Sequence, residues 1–168
     1  VDQLDGIDIE SDTEMTLTAM NHQVCKFVEG VQHVNGACAL RFARERKTYY
    51  TGDKHRGANQ QQVLTGIINK LSNSKDYVLK IPAILDIAAD SFETSLSREN
   101  ITDFIRFQLQ EQPKWKVESI AIDGEGTLLP TYSMGDNLPL YVMIPDESTI
   151  IDAKAKIDSY MNTGESTE

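Results

Sequence analysis

The sequence predicts an α/β fold, with helices layered on both sides of a mixed sheet. Strand-like and helix-like stretches alternate along the chain. Apolar residues recur at helical spacing in several segments, with turn-forming residues between them. The 168 residues are 40% hydrophobic and 25% charged, which are ordinary values for a globular chain with one sizeable core. We therefore expect one domain over residues 1–162 and a disordered tail at 163–168.

The N-terminal part is expected to hold one strand and one short helix. Ile7 to Glu10 alternates apolar and polar residues, which is typical of a half-buried strand. Residues 11–31 are mixed and polar, with a weak strand signal around Cys25 to Val28 from Val24, Phe27 and Val31, and we expect a surface excursion there. Asn35 is a suitable N-cap for a short helix, which should end near Arg44.

Helices and strands alternate through the rest of the chain. Helices with an apolar stripe are expected over residues 56–71, 77–90 and 98–110, and a last helix begins at Asp146 or Ser148. Strands are expected at 115–122 and 139–145, with a break at Gly124-Glu-Gly126 after the first of them.

Residues 41–56, here called the basic segment, are cationic in an otherwise acidic protein. The segment holds six of the 16 Lys and Arg residues and two acids, which gives a local charge of about +4 against a net charge of -10 for the chain. Its cations are Arg41, Arg44, Arg46, Lys47, Lys54 and Arg56. The acidic remainder would repel duplex phosphates, so we expect no nucleic-acid partner.

The arginines of the basic segment are spaced to bind an anion with several oxygens. A guanidinium donates in a rigid fork that matches phosphate or carboxylate. Arg44 and Arg46 are two residues apart and would point the same way only on an extended backbone. Arg56 and Gln60 are four residues apart and share one face of a helix that begins near Gly57. The N–H groups at the beginning of that helix would add to the attraction for the anion. The alternative is a solvated basic face paired with nearby acids.

Two longer motifs overlap the basic segment. They read Asn35-Gly-Ala-Cys-Ala-Leu-Arg-Phe-Ala-Arg-Glu-Arg and Gly52-Asp-Lys-His-Arg-Gly-Ala-Asn-Gln-Gln-Gln-Val-Leu. Together they resemble the signature of the LytR-CpsA-Psr (LCP) family of Gram-positive bacteria, which reads Asn-Gly-x-x-Ala-Leu, Ala-Arg-x-Arg and Gly-Asp-x-x-Arg-Gly-x-x-Gln. The resemblance covers nearly all of the chain, which is expected to correspond to the C-terminal part of the family's domain.

The resemblance assigns roles to several of these residues. It implies that Arg44, Arg46, Arg56 and Gln60 bind the pyrophosphate of a polyprenyl-pyrophosphate lipid, and that Arg44 and Arg46 are catalytic. Asp53 falls on the family's acidic position and would orient the arginines. The family's magnesium-binding aspartates and its N-terminal membrane anchor are expected upstream of residue 1, so no metal ligand is assigned in this chain.

A polyprenyl chain attached to the bound pyrophosphate needs apolar walls. The two helices nearest in sequence to the arginines supply the candidates. These are Val63, Ile67, Leu71, Ile84 and Leu85. The alternative is that these side chains simply fill a tight core.

The resemblance implies a magnesium-dependent phosphotransferase at the extracellular face of the cell membrane. It would move a glycopolymer, such as wall teichoic acid or capsular polysaccharide, from a polyprenyl-pyrophosphate carrier to peptidoglycan. The alternative is a non-catalytic module that binds polyprenyl phosphate or a polyanion, since the family has historically been labelled as transcriptional regulators. Whether this chain acts by itself is left open, because it carries no complete catalytic set.

Cys25 and Cys38 lie thirteen residues apart, without the spacing of a zinc or redox motif. Two buried thiols are expected, with a disulfide as the alternative if the protein is exported. The three histidines have no ligand spacing, and His55 alone lies in the basic segment.

Overall fold

The structure is a computed structural model that describes residues 1–49, 52–73, 75–83, 94–113 and 115–162, without the side chains of Asp53, Asp136 and Asn137. It divides into two compact units, Val1–Val117 and Glu118–Glu168. The expected single domain over residues 1–162 stays a prediction, and the expected tail at 163–168 lies outside the described residues.

The first unit contains short strands followed by helices. After a 3-10 turn at Asp2–Leu4 come β1 (Ile7–Ser11), β2 (Met15–Thr18), β3 (Val24–Phe27) and β4 (Gly30–Val34). They are followed by α1 (Gly36–Ala43), α2 (Gly52–Ser72), α3 (Lys75–Val78) and α4 (Arg98–Glu111). Residues 81–83 are also helical, but a turn at 79–80 separates them from α3, so the helix expected over 77–90 is interrupted there. The part of that helix over 84–90 lies outside the described residues.

The strands of the first unit pair in two antiparallel ladders. β1 pairs with β4, with Ile7 opposite Val34, and β2 pairs with β3, with Met15 opposite Phe27. The expected surface excursion over residues 11–31 is therefore wrong. Side chains at every second position of β2 and β3 point into the core, and the weak strand signal around Cys25 to Val28 corresponds to β3.

The core of the first unit lies between these ladders and the helices α1 and α2. Its largest fully buried side chains include Phe27 and Phe42, whose ring centroids are 5.3 Å apart. Cys25 and Cys38 are joined in a disulfide, so the expected pair of free thiols is wrong. The bond links β3 to the first turn of α1, and the Asn35 side chain caps that helix by accepting from the Cys38 N–H at 3.0 Å. The predicted cap is confirmed.

Helix α2 packs on β1 at very short range through Gly66. A methyl group at this position would lie 2.6 Å from the main-chain carbonyl oxygen of Asp8. Gly57, on the same helix, has nothing within 4 Å of the corresponding position. The absence of a side chain at Gly66 therefore sets how closely α2, which carries the predicted site residues Arg56 and Gln60, approaches the sheet.

Replacing Gly66 by alanine should lower the free energy of unfolding by about 1–3 kcal/mol, because β1 and α2 would have to separate. The matched change Gly57→Ala should raise it by about 0.5–1 kcal/mol, because alanine is the better helix former and meets no neighbour. Urea unfolding of both variants measures the difference. Equal stability of the two would contradict the close contact between α2 and β1.

The second unit is a β-hairpin followed by a helix. β5 (Gly124–Thr131) pairs with β6 (Gly135–Pro145) in antiparallel register, and α5 covers Glu147–Asn162. Asp146 caps α5 by accepting the Ser148 N–H at 3.0 Å. Of the two predicted beginnings of this helix, Asp146 and Ser148, the first is confirmed. The strand expected at 115–122 is wrong, and Gly124-Glu-Gly126 lies inside β5 instead of breaking a strand. A glycine fits inside this strand because the missing side chain at Gly126 leaves room for the ring of Tyr141 on the partner strand.

The predicted α/β class is confirmed. Within the described ranges the strands form three two-stranded antiparallel ladders. The predicted helix over 98–110 is also confirmed by α4, where Ser97 accepts the N–H of Asn100 at 3.1 Å.

Candidate functional site

The first part of the candidate site is the loop of residues 44–49 that follows α1, here called the arginine loop. The Glu45 N–H donates to the Phe42 carbonyl at 3.1 Å as the helix ends. Arg44 has φ -101° and ψ -3°, so its backbone is close to helical and the expected extended conformation is wrong at this residue. The last turn of α1 sets its dihedrals because Arg44 is the C-cap. Its Nη1 lies 3.2 Å from the sulfur of Met20.

The arginine loop is built around the carboxylate of Glu45, which is only 2% exposed. Its Oε1 accepts the N–H of Lys47 at 2.6 Å, the N–H of Thr48 at 2.9 Å and the hydroxyl of Thr48 at 3.1 Å. Its Oε2 pairs with Nη2 of Arg41 at 2.6 Å. Sequence reasoning gave Glu45 no role, although its position four residues after Arg41 is the spacing of a helical ion pair.

Glu45 stays ionised despite its burial. Burial alone would raise the pKa of this carboxyl, but the N–H groups of Thr48 and Lys47, together with Arg41, outweigh it and hold the pKa below its usual range. The contribution of the ionised Glu45 carboxylate to the stability of the fold is therefore fully present above the usual glutamate pKa. It is lost as the pH falls through the lower pKa of the folded state.

The second part of the candidate site is the N-terminal half of α2. This helix begins at Gly52, earlier than the expected start near Gly57, so Asp53 lies in its first turn. Arg56 and Gln60 are four residues apart on one side of the helix, as predicted. Arg56 is half-buried and Gln60 is exposed.

Three contacts hold the arginine loop and the end of α1 against the beginning of α2. A methyl group at Gly52 would lie 2.5 Å from the carbonyl oxygen of Arg46, so the two backbones are nearly touching. The buried side chain of Asn59 donates from Nδ2 to the Phe42 carbonyl at 3.2 Å. The rings of Tyr49 and His55 stack with centroids 3.4 Å apart. Exposed Arg46 is thereby brought to the helix end that carries a partial positive charge.

The described structure thus places two exposed arginines, Arg44 and Arg46, in a loop fixed to the helix of Arg56 and Gln60. That all four side chains converge on one cleft stays a prediction. The role expected for Asp53 does too, since its side chain lies outside the description.

His55 has a clear structural role. Its Nε2 lies 2.9 Å from Oδ2 of Asp12, and its ring covers Tyr49. Burial, followed by the negative charge of Asp12, raises the pKa of the Tyr49 hydroxyl above its usual value. The tyrosine is therefore a neutral packing group that links the arginine loop to α2.

An apolar cavity of about 290 Å³ opens beside the C-terminal half of α2. It is lined by Ile68, Leu71, Ser72, Val78, Ile81, Phe104, Gln108 and Trp115. Leu71 was predicted for the lipid wall. The side chains on α4 and Trp115 were missed because they are distant in sequence from the arginines.

The other predicted lipid-lining residues lie elsewhere. Val63 and Ile67 pack against the core of the first unit. For these two residues the structure agrees with the alternative interpretation, in which they fill a tight core. The cavity borders the neighbouring stripe of α2, on which Ile68 and Ser72 are four residues apart. Ile84 and Leu85 lie outside the described residues.

A model of the LytR_cpsA_psr family, the LCP family of the sequence resemblance, matches residues 1–150. The chain belongs to this family. The resemblance of the two motifs is thereby confirmed over most of the sequence.

Relatives of this LCP chain include named transferases from Bacillus. The TagU protein of Bacillus licheniformis, a polyisoprenyl-teichoic acid–peptidoglycan teichoic acid transferase, is 29% identical over 96% of the chain and 48% of its own length. TagU of Bacillus subtilis is 32% identical over 61% of the chain and 32% of its own length. The chain thus spans about half the length, or less, of the curated relatives it matches.

Two solved structures have a similar fold. The crystal structure of Bacillus subtilis TagV matches with a TM-score of 0.70 and 25% identity, over 96% of this chain and 59% of that one. A Listeria innocua protein solved by X-ray crystallography matches with a TM-score of 0.60 and 27% identity, over 99% of this chain and 62% of that one.

Metal ligands and a membrane-spanning helix are two properties expected of the LCP parent protein. Within the described residues, no group of three or more His, Cys, Asp or Glu side chains is arranged to hold a metal ion. Nor does any helix in the described ranges have the length and apolar composition needed to cross a membrane.

Proposed function

We propose that the full-length protein transfers a glycopolymer from a polyprenyl-pyrophosphate carrier to a hydroxyl of peptidoglycan. The observation that carries the proposal is the arginine loop, where exposed Arg44 and Arg46 lie on a backbone held by the buried Glu45 and by the close approach of the Arg46 carbonyl to Gly52 of α2. The names of the Bacillus relatives as teichoic acid transferases support it. Wall teichoic acid and capsular polysaccharide are the candidate polymers, and the extracellular face of the cell membrane, reached through an N-terminal anchor, is the proposed location.

The reaction is an attack by a hydroxyl on a phosphorus atom whose leaving group is itself a phosphate. Little covalent chemistry falls to the protein, so catalysis depends on positioning and on neutralising negative charge. Arg44 and Arg46 would donate to phosphate oxygens with their two-pronged guanidinium groups. Arg56 and Gln60 would hold further oxygens from α2.

Magnesium is proposed as the cofactor of the parent domain, held by residues outside the described part of this chain. It would neutralise further phosphate charge. Asp53 is proposed to orient the arginines from the first turn of α2.

The apolar cavity is the proposed site for part of the polyprenyl chain. It lies along the same helix as the phosphate-binding residues: Ile68 is twelve residues beyond Arg56, a distance of about 18 Å at 1.5 Å per residue. Each 100 Å² of lipid surface buried there would contribute about 2.5 kcal/mol.

The experiment is a transfer assay with the full-length protein, lipid-linked teichoic acid and peptidoglycan, using carriers of increasing chain length. Wild-type protein should transfer the polymer, with an apparent affinity that rises with chain length. Ser72→Phe fills the cavity, so it should remove most of that chain-length dependence. The apparent affinity for the longer carriers should fall by about tenfold if about 1.4 kcal/mol of binding free energy is lost. Leu64→Phe is the matched control, because Leu64 is 59% exposed on α2 and does not line the cavity.

The outcomes separate the two functions considered. Binding of the carrier without any transfer would favour the non-catalytic module. Transfer with unchanged chain-length dependence in Ser72→Phe would overturn the lipid assignment of the cavity while leaving the transferase proposal intact.

A further inference from the structure

Glu45 stands between the two predicted catalytic arginines, yet it has the opposite environment. Arg44 and Arg46 are exposed, whereas Glu45 is 2% exposed. An acidic side chain between two arginines would be expected at the surface, where its charge is solvated. Here it enters the interior, and its carboxylate receives four contacts shorter than 3.2 Å, one of them from a guanidinium.

The four contacts are divided between the two carboxylate oxygens. Oε1 receives the two main-chain N–H groups of Lys47 and Thr48 and the Thr48 hydroxyl, so it fixes the chain after Arg46. Oε2 receives Arg41, so it fixes the loop to the last turn of α1. Hydrogen bonds to an ionised acceptor are the stronger kind, and a buried carboxylate that lost them would be costly.

The chain is thereby held on both sides of Arg46. Before it, the Glu45 N–H bonds to the Phe42 carbonyl, and after it, the Lys47 N–H bonds to the Glu45 side chain. Between these anchors, the Arg46 carbonyl lies against Gly52 of α2. Little freedom is left to the backbone that carries Arg44 and Arg46.

Resting on the proposed function, we infer that Glu45 is a positioning residue that preorganises the arginine pair for a diphosphate. It does not touch the ligand. It engages Arg41 in the loop scaffold and holds the backbone of its two neighbours, so the backbone that carries the pair is ordered before the anion arrives. Preorganisation raises affinity because the cost of ordering the loop is not incurred on binding.

Two substitutions separate the parts of this role. Glu45→Gln keeps an oxygen that can accept from Lys47 and Thr48, but its amide group repels Arg41. Glu45→Ala removes all four contacts. Glu99→Ala is the control, because Glu99 is an exposed acid in the first turn of α4.

The test uses the full-length protein, with inorganic pyrophosphate as the titrated probe and amide hydrogen exchange as the structural readout. We expect Glu45→Ala to lose protection at the Lys47 and Thr48 amides and to bind pyrophosphate about tenfold more weakly. Glu45→Gln should retain part of both the protection and the affinity, and Glu99→Ala should match the wild type. In the transfer assay, the loss in Glu45→Ala should appear mainly in KM if the pair binds ground state and transition state alike, and in kcat as well if it acts in the transition state.

The results distinguish this inference from the proposed function. If the wild type binds no pyrophosphate and transfers no polymer, the proposed function is wrong and the inference falls with it. If the wild type binds but Glu45→Ala binds equally well, only the inference is overturned, and Glu45 is a structural residue of the loop. Should Glu45→Ala fail to fold, Glu45→Gln decides by the same comparison: unchanged amide protection at Lys47 and Thr48 with unchanged affinity would overturn it.

Discussion

Replacing Arg44 and Arg46 together by alanine is expected to lower glycopolymer transfer by the full-length protein by about two to four orders of magnitude. Each arginine that donates to a phosphate oxygen contributes about 1.5–3 kcal/mol, and the two losses add to about 3–6 kcal/mol in the transition state. Both side chains are exposed, so the melting temperature should hardly change. The measurement is the rate of transfer from a lipid-linked donor, with melting followed in parallel.

Lysine substitutions show whether geometry or charge matters. Arg44→Lys and Arg46→Lys keep the charge and lose the fork, so each should still weaken transfer clearly. Arg98→Ala, an exposed arginine at the start of α4, should leave the rate unchanged. Full activity of both lysine variants would mean that the basic segment is a solvated face, the alternative considered from the sequence.

Removing the disulfide by the double change Cys25→Ser and Cys38→Ser should lower the free energy of unfolding by about 3 kcal/mol. The bond closes a loop with a sequence separation of 13, and loops of this length restrict the unfolded chain by about that amount. For a chain of this size the melting temperature should fall by about 6–12 °C. Both sulfurs belong to buried residues, at 2% and 8% exposure, so poor packing of the serines adds to the loss.

Thermal unfolding with and without reductant provides the control. Reductant should lower the melting temperature of the wild type towards that of the double variant, and it should have no effect on the variant itself. If reductant left the melting temperature of the wild type unchanged, although unfolding of the first unit exposes the disulfide to it, a stabilising role for the bond would be contradicted.

The sequence by itself determined the features that depend on a few neighbouring residues. The apolar stripe of α2 predicted a helix, and Asn35 and Ser97 predicted the beginnings of α1 and α4, because a cap needs only a side chain and an N–H two or three residues away. The two motifs around the basic segment were sufficient to indicate the family.

Only the tertiary structure decided the features that depend on partners distant in the chain. The disulfide needed β3 and α1 to be adjacent, and the apolar cavity needed α4 to lie beside α2, where Gln108 donates to the carbonyl of Ser72 across 36 residues. The backbone of Arg44 and the burial of Glu45 were also decided there. The physical reason is that a charged residue enters the interior only where enough donors meet it, and no pattern in the sequence shows that meeting.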